Sequence, residues 1–145
     1  MRVEQVLASK GDNVLTIHPD ASTSELVSQL AEHRIGAMVV SRDGRTVDGM
    51  ASERDVVRAL AKLGAAALDK PVSELMTPTV QCAVPSAYVQ DLMSLMTNSR
   101  IRHVPVLDEE HQMIGIISIG DVVKSRIDEL QDERDALVQY VTVGG

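Results

Sequence analysis

The chain contains two copies of one sequence pattern. Aligned with itself at an offset of 66 residues, it shows 13 identities without a gap over the 45 positions from 14 to 58. Arg34 then matches Arg100, and Asp55 matches Asp121. A unit of about 55 residues buries little apolar surface alone, so two copies must share a buried face. We therefore predict a pseudo-two-fold arrangement with two equivalent clefts, one for each copy.

Both copies predict the order helix, strand, strand, helix. In the first copy, Ser22-x-x-Glu25 is a capping-box pattern, and Gly36 is expected to end the helix that follows. The predicted strands and final helix of that copy cover 37–40, 47–51 and 52–63. The second copy predicts a helix over 89–96, strands at 104–107 and 113–117, and a helix from 120 onward. A short extended segment precedes each copy, at 14–17 and 80–83. Because proline cannot donate to a sheet, Pro105 is expected at an edge or a bulge.

These elements predict an α+β fold of two repeats. We place the first repeat, with its N-terminal segment, at 1–66 and the second, with an extended C-terminal helix, at 67–145; a linker covers 64–71. Apolar residues of the last helix recur at steps of three and four, which forms one stripe. They are Val123, Ile127, Leu130, Leu137 and Val141. A helix this long on a domain this small favours a homodimer over packing on its own domain.

The pattern Gly-h-x-Ser-x-x-Asp, where h is apolar, occurs at 49–55 and again at 115–121. Each copy lies where a strand is predicted to pass into a helix. One interpretation is structural, since Ser followed by an acid three residues later forms a capping box. The other is ligand binding, because free N–H groups at a helix start favour a phosphate and a carboxylate can accept both hydroxyls of a ribose. The two interpretations are compatible.

The duplicated unit, the two Ser-x-x-Asp motifs and the run Arg-Ile-Arg-His-Val-Pro-Val at 100–106 resemble a tandem pair of cystathionine-β-synthase-type (CBS) domains, also called a Bateman module. Small stand-alone bacterial proteins of this family are the most similar type, and the resemblance covers 3–124. It implies a disk-like module that binds an adenine nucleotide between the repeats. The implied ligand is AMP, ADP or ATP, with NAD(H) as a further candidate.

The resemblance also implies site residues. The motif Asp would hold the ribose, Ser would lie near the phosphates, and main-chain groups beside the central strands would receive the adenine. For the first cleft these are Lys10, Thr16, Ile17, Gly36, Ala37, Met38, Ser52, Arg54 and Asp55. For the second they are Val80, Arg102, His103, Val104, Pro105, Ser118, Ile119 and Asp121. The two sets differ, and we expect the Asp121 cleft to be favoured because Arg102 and His103 flank it.

Composition excludes several other functions. The formal net charge of -7 argues against non-specific binding to nucleic acid or to an anionic membrane. No phosphate-loop or dinucleotide-fold glycine motif is present, and the four histidines show no metal-ligand spacing. Nothing indicates a catalytic nucleophile with its base, so we predict neither an enzyme nor a metal site. A single cysteine and no secretory or membrane-spanning segment fit a cytoplasmic protein.

The sequence thus favours a non-catalytic nucleotide sensor that modulates its own dimer or a partner. The alternative is a structural dimerisation module whose nucleotide sites are vestigial. A third possibility is an accessory subunit that regulates an unidentified protein. The choice of nucleotide, the number of occupied sites and the partner stay open at this stage.

Overall fold

The computed structural model describes residues 1–11 and 13–144. The helices are α1 (Val3–Lys10), α2 (Thr23–His33), α3 (Glu53–Leu63), α4 (Val72–Leu75), α5 (Val89–Ser99) and α6 (Ile119–Gly144). The strands are β1 (Thr16–Ile17), β2 (Ala37–Val40), β3 (Gly49–Ser52), β4 (His103–Leu107) and β5 (Met113–Ser118). The predicted linker contains a 3₁₀ helix, Gly64–Asp69. Each repeat therefore has the predicted order, α2-β2-β3-α3 and α5-β4-β5-α6, and the fold is α+β.

The two sheets are related by the same 66-residue offset as the sequence. In the first, β1 pairs in parallel with β2, and β2 pairs antiparallel with β3. In the second, β4 pairs antiparallel with β5. Ala37 lies opposite Ser52, and His103 lies opposite Ser118 at the equivalent register. The strand-to-helix junctions of the two motifs consequently have matching positions in the two repeats.

Pro105 explains why the second sheet has one strand fewer. In the first sheet β1 makes two parallel bridges to β2, Thr16 to Val39 and Ile17 to Val40. The equivalent segment of the second repeat makes a single bridge, Ala83 to Val106. A bridge to position 105 would require its N–H as a donor, which proline lacks. The predicted edge behaviour is confirmed, and the bulge lies one residue further on, between Val106 and Leu107.

The first helix of each repeat ends on an arginine rather than a glycine. Arg34 and Arg100 follow α2 and α5 with left-handed backbones, each with φ near 54°. The N–H of Ile35 then donates to the Leu30 carbonyl at 3.1 Å, which satisfies an orphan carbonyl of the last turn. The prediction that Gly36 ends the helix is wrong by two residues, because this arginine supplies the left-handed turn.

The short helices α1 and α4 each pack against the repeat that is more distant in sequence. Val3 and Val6 of α1 are buried with the core of the second repeat, around Val104 and Ile117. Val72 of α4 is fully buried in the core of the first repeat. A division of the chain at residue 66 therefore assigns both helices to the half against which they do not pack.

The final helix extends well past the second core. Its first turns contribute Val122 and Ser125 to the interior, whereas Leu137, Tyr140 and Val141 are each more than 60% exposed. Within 1–11 and 13–144, no helix, α6 included, has both the length and the apolar character needed to cross a bilayer.

Candidate functional site

The first Ser-x-x-Asp motif forms a capping box at the start of α3. The Asp55 carboxylate accepts hydrogen bonds from the Ser52 N–H at 2.9 Å and from the Ser52 hydroxyl at 3.0 Å. The Asp55 N–H donates back to the Ser52 hydroxyl oxygen at 3.3 Å. One carboxylate oxygen, Oδ2, takes both bonds, so the capping role leaves the second oxygen available.

The second motif repeats this geometry at the start of α6. The Asp121 Oδ2 accepts from the Ser118 N–H at 2.8 Å and from its hydroxyl at 2.9 Å. A backbone bond fixes each junction to the neighbouring strand: the Glu53 N–H donates to the Gly36 carbonyl, and the Ile119 N–H donates to that of Arg102. The structural interpretation of the motifs is therefore confirmed in both repeats.

A cavity of about 600 Å³ lies between the repeats, next to the first motif. That volume is within the range of small-molecule sites. Its wall consists of Gly36, Ala37, Met50, Ser52, Glu53, Arg54, Asp55, Arg58, Thr77, Thr79, Val80, Gln81, Ser99, Arg100, Ile101, Arg102, His103 and Ile119. Asp55 thus lines the cavity, and the wall combines polar and apolar side chains from both repeats.

Residues that the sequence assigned to separate clefts meet in this one cavity. From the first predicted set the wall includes Gly36, Ala37, Ser52, Arg54 and Asp55. From the second it includes Val80, Arg102, His103 and Ile119. The remaining predicted residues that the structure describes are not on this wall: Lys10, Thr16, Ile17, Met38, Val104, Pro105, Ser118 and Asp121. Of these, Ile17, Met38, Val104 and Pro105 are buried in the two cores.

The structure contradicts the assignment of Lys10 to the first cleft. The Lys10 ammonium donates to Asp121 Oδ2 at 2.5 Å and to the Ile116 carbonyl at 2.8 Å. The cause is the packing of α1, which lies against β5 of the second repeat. In the first repeat the equivalent carbonyl, that of Met50, instead accepts the Thr77 backbone N–H at 2.8 Å.

Lys10 gives the two motif carboxylates different environments. Burial acts to raise the pKa of Asp121, but the hydrogen bonds from Lys10 and Ser118 and the charge of Lys10 outweigh it and hold that pKa below its ordinary value. Asp121 is thus a paired carboxylate within a packed junction. Asp55 has the same cap and no ion pair within the part of the chain that the structure describes.

We expected Arg102 and His103 to flank the Asp121 cleft and to favour it as the nucleotide site, and that preference stays a prediction. Both residues lie on the wall of the cavity that contains Asp55. His103 also lies close enough to Lys10 and Asp121 to feel both charges. Burial first, and then the positive charge of Lys10, lower the pKa of His103, so the imidazole is neutral at physiological pH.

Sequence analysis missed part of the basic wall. Arg58 lies one helical turn after Arg54 on α3, a spacing of four that places both on one face. Arg100 is the first residue of the run used for the resemblance and caps the C-terminus of α5. The sequence contained a signal for each of these residues. Arg58 follows Arg54 at a spacing of four, and Arg100 aligns with Arg34 of the first repeat.

The segment before the second repeat reaches the cavity through a backbone ladder. The Met50 N–H donates to the Thr77 carbonyl at 2.9 Å, and the Thr77 N–H donates back at 2.8 Å. This bridge extends the sheet past β3 and leads Thr79, Val80 and Gln81 along the wall. Among the residues described, no group of three or more His, Cys, Asp or Glu side chains is placed to hold a metal ion.

Comparison with known proteins identifies the fold family. The CBS domain model matches residues 3–62 and again 72–128. The chain belongs to the CBS-domain family. The resemblance drawn from the motifs is confirmed, and the two matched segments correspond to the two repeats.

Related proteins and solved structures agree that the chain belongs to this family. The crystal structure of the CBS-domain protein ATU1752 from Agrobacterium tumefaciens is 44% identical with a TM-score of 0.81, over 87% of this chain and 99% of that one. The mitochondrial protein CBSX3 of Arabidopsis thaliana is 32% identical, over 98% of this chain and 72% of that protein. The CBS domain protein PAE2072 from Pyrobaculum aerophilum, solved in complex with AMP, is 26% identical with a TM-score of 0.72, over 83% of this chain and 89% of that one.

Proposed function

We propose that this CBS pair is a regulatory, non-catalytic module that binds an adenine nucleotide in the cavity beside Asp55. The observation that carries the proposal is that this cavity combines a helix N-terminus, a Ser-x-x-Asp motif and basic side chains of the other repeat. Each part matches one part of a nucleotide, and the cavity is large enough for a small ligand.

The ligand's parts can be assigned from the chemistry of the wall. The free carboxylate oxygen of Asp55 is suited to a ribose diol, as acids are in dinucleotide-binding folds. The Ser52 hydroxyl and the start of α3 favour a phosphate. Gly36 and Ala37 at the start of β2 and Val80 across the cavity offer backbone groups and aliphatic surface to a base.

The AMP complex of PAE2072 supports an adenine nucleotide as the class of ligand, because that relative has the same fold and binds AMP. Asp121 is the weaker candidate in this chain. Its carboxylate is already paired with Lys10, so a ribose would have to replace or share an existing ion pair.

Regulation would follow from a difference in affinity between two states. A nucleotide shifts a dimer or partner equilibrium only if it binds one state more tightly than the other. The apolar stripe of α6 is the surface on which we propose that two copies pair, and a regulated protein is a further partner.

The test is isothermal titration calorimetry of adenosine and AMP with Asp55→Asn and Asp121→Asn. Loss of a hydrogen bond to a charged group costs about 1.5–3 kcal/mol, so Asp55→Asn should weaken AMP binding by about 10- to 100-fold. Asp121→Asn is the matched control, since it removes the charge of an equivalent cap. The affinity of Asp121→Asn for AMP should stay within about 2-fold of that of the parent chain.

Thermal stability separates this function from the purely structural alternative. A nucleotide present at 100 times its dissociation constant adds about 2.7 kcal/mol to the free energy of unfolding. If AMP, ADP, ATP and NAD⁺ all leave the melting temperature unchanged at millimolar concentration, the structural module is correct and the sensor is not. Equal losses from both Asn variants would contradict the preference for Asp55 over Asp121.

A further inference from the structure

The outer edge of β5 lacks a backbone bridge that the equivalent edge of the first repeat has. In the first repeat, Thr77 forms an antiparallel bridge to Met50 through two backbone hydrogen bonds of 2.9 and 2.8 Å. The 66-residue offset places Gly11 at the position of Thr77 and Ile116 at that of Met50. Within 1–11 and 13–144, no backbone bridge joins Gly11 to Ile116. The first repeat therefore shows an arrangement that the second copy of the pattern does not use here.

The backbone groups of Ile116 face this outer edge. Ile116 lies opposite Pro105 in the β4–β5 pair. Pro105 has no N–H to donate, and its carbonyl accepts the Ala83 N–H on the far side of β4 at 2.9 Å. The Ile116 groups consequently point away from β4, as those of Met50 point away from β2. The Lys10 ammonium donates to the Ile116 carbonyl at 2.8 Å, so a side chain takes the acceptor that a backbone N–H takes in the first repeat.

Gly11 has the backbone freedom to adopt either arrangement. It ends α1 with φ 95° and ψ 167°, and its N–H donates to the Leu7 carbonyl at 2.8 Å. Glycine tolerates this positive φ without strain and also adopts the extended backbone of a strand. A Cβ added at Gly11 would meet nothing within 4 Å. The backbone conformation, rather than a lack of space, is therefore what requires glycine at this position.

The two arrangements make similar numbers of hydrogen bonds. In the structure, one backbone bond to Leu7 and two side-chain bonds of Lys10 fix the end of α1. A bridge would instead form two backbone bonds between Gly11 and Ile116 and release Lys10 into water. The ion pair that is given up is partly exposed, with the Lys10 and Asp121 side chains 29% and 22% accessible. Partly exposed ion pairs contribute little to stability, so a small change is sufficient to shift the balance.

We propose that the end of α1 is a two-state latch on the second Ser-x-x-Asp junction. In the latched state, which the structure shows, Lys10 pairs with Asp121 and neutralises its charge. In the released state, Gly11 forms the backbone bridge to Ile116 and Lys10 leaves the carboxylate. Asp121 then keeps only its capping bonds, and the second junction acquires the environment that Asp55 has in the first.

The latch lies next to the cavity between the repeats. His103 is on the cavity wall and pairs across the sheet with Ser118, the residue that caps Asp121. The Arg102 carbonyl accepts the N–H of Ile119, the first residue of α6. The start of β4 thus connects the cavity to the latch, so the state of each can bias the other. The latch itself requires no ligand, and its test is independent of the proposed function.

Amide hydrogen exchange followed by NMR tests the latch in the chain without ligand. In the released state the Ile116 N–H is bonded and protected, as that of Met50 is in the first repeat. Gly11→Thr disfavours positive φ and favours an extended backbone, and Lys10→Met removes the ion pair. In Gly11→Thr/Lys10→Met we expect the Ile116 amide to exchange roughly 10-fold more slowly than in the parent chain, relative to Met50, because it gains a hydrogen bond.

Gly64→Thr is the matched control, because Gly64 also follows a helix with positive φ, 64°, and has nothing within 4 Å of an added Cβ. It should leave the exchange of Ile116 relative to Met50 unchanged. Unchanged or faster exchange of Ile116 in the double variant would show that Gly11 does not take the edge, and it overturns the latch. Exchange of Ile116 as slow as that of Met50 in the parent chain also overturns it, since the edge would already be bonded. Equal slowing by Gly64→Thr would assign the effect to glycine replacement in general and would contradict the latch as well.

Discussion

At the scale of single residues, the two repeats differ most at a lysine that lies outside both motifs. The motifs have nearly the same hydrogen bonds, yet only Asp121 receives the ammonium of Lys10. That ammonium also donates to the Ile116 carbonyl, whose counterpart in the first repeat is bonded to backbone. One side chain thus replaces a backbone bridge and neutralises a carboxylate, which makes the second junction structural in character.

Lys10→Met tests that ion pair while keeping the aliphatic stem. Because the folded-state pKa of Asp121 is lowered, its contribution to stability is present above the ordinary value of 3.8 and is lost as the pH falls through the folded value below that. We expect Lys10→Met to cost up to about 1 kcal/mol of unfolding free energy at pH 7. Urea denaturation between pH 7 and pH 3 should show the difference from the parent chain shrinking.

Lys62→Met is the control for this measurement. Lys62 is exposed in the last turn of α3 and has no ion pair within the described ranges 1–11 and 13–144. Its substitution should change stability by much less at every pH. A Lys10→Met deficit that stays constant down to pH 3 would assign the effect to packing of the stem and contradict the role of the charge.

At the scale of elements, the motif glycines show how closely the short helices pack on the sheets. A Cβ added at Gly49 would lie 2.6 Å from the Met76 sulfur and 2.9 Å from the Thr77 carbonyl oxygen. A Cβ at the equivalent Gly115 would lie 2.5 Å from a terminal methyl of Leu7. Both glycines therefore allow a neighbouring segment to approach the sheet. At Gly49 the nearest atoms include the Thr77 backbone as well as the Met76 side chain, whereas at Gly115 the three nearest atoms all belong to the Leu7 side chain.

We expect Gly49→Ala to destabilise the protein more than Gly115→Ala. The Thr77 backbone is held by two hydrogen bonds to Met50 and cannot retreat without breaking them, so overpacking should cost about 1–3 kcal/mol. The Leu7 side chain can give way by moving a χ angle about 30° off its rotamer, which costs about 0.5–1.5 kcal/mol. Urea denaturation of the two variants checks the order. An equal or larger loss from Gly115→Ala would show that α1 is as rigidly placed as the Thr77 bridge.

Local patterns predicted the elements well because their causes are local. The strand at 37–40 and both capping boxes follow from short-range periodicity and spacing, and they are present as predicted. The end of α2 was misplaced because Arg34 adopts a backbone that favours glycine or asparagine, and residue type alone does not indicate it. Val3 and Val6 of α1 are buried in the core of the second repeat. Hydrophobic periodicity shows that they form an apolar face, but it does not show which repeat that face packs against.

At the scale of the whole molecule, the candidate site shows the same difference between what local sequence patterns predict and what long-range packing decides. Sequence supplied Ser52, Asp55 and the arginine–histidine pair at 102–103, because each belongs to a motif. It assigned them to two clefts, since the approach of the second repeat's α5–β4 turn to α3 is a tertiary contact. The same turn carried Arg102 and His103 to Asp55 rather than to Asp121 alone.

The exposed stripe of α6 gives the last prediction, the assembly of two chains. Val123, Ile127, Leu130, Leu137 and Val141 are between 47% and 68% exposed, although they follow the three- and four-residue spacing of a packing face. We expect the parent chain to sediment as a dimer through this face. In a dimer paired through this face, Leu137 would be buried, and Leu137→Glu would remove that leucine from both copies at once. With at least about 1.5 kcal/mol lost per copy, the dimer should weaken by about 100-fold or more.

Gln139→Glu adds the same charge two residues away, nearly on the opposite side of the helix, and is the matched control. It should sediment like the parent chain, and both variants should keep the helical content seen by circular dichroism. A parent chain that stays monomeric at high micromolar concentration, or equal dissociation by the two variants, would contradict pairing through the stripe. Because the residues of the stripe are not on the cavity wall, we expect Leu137→Glu still to bind adenosine in the cavity beside Asp55. Comparing its ATP affinity with that of the parent chain measures any coupling between dimer formation and ligand binding.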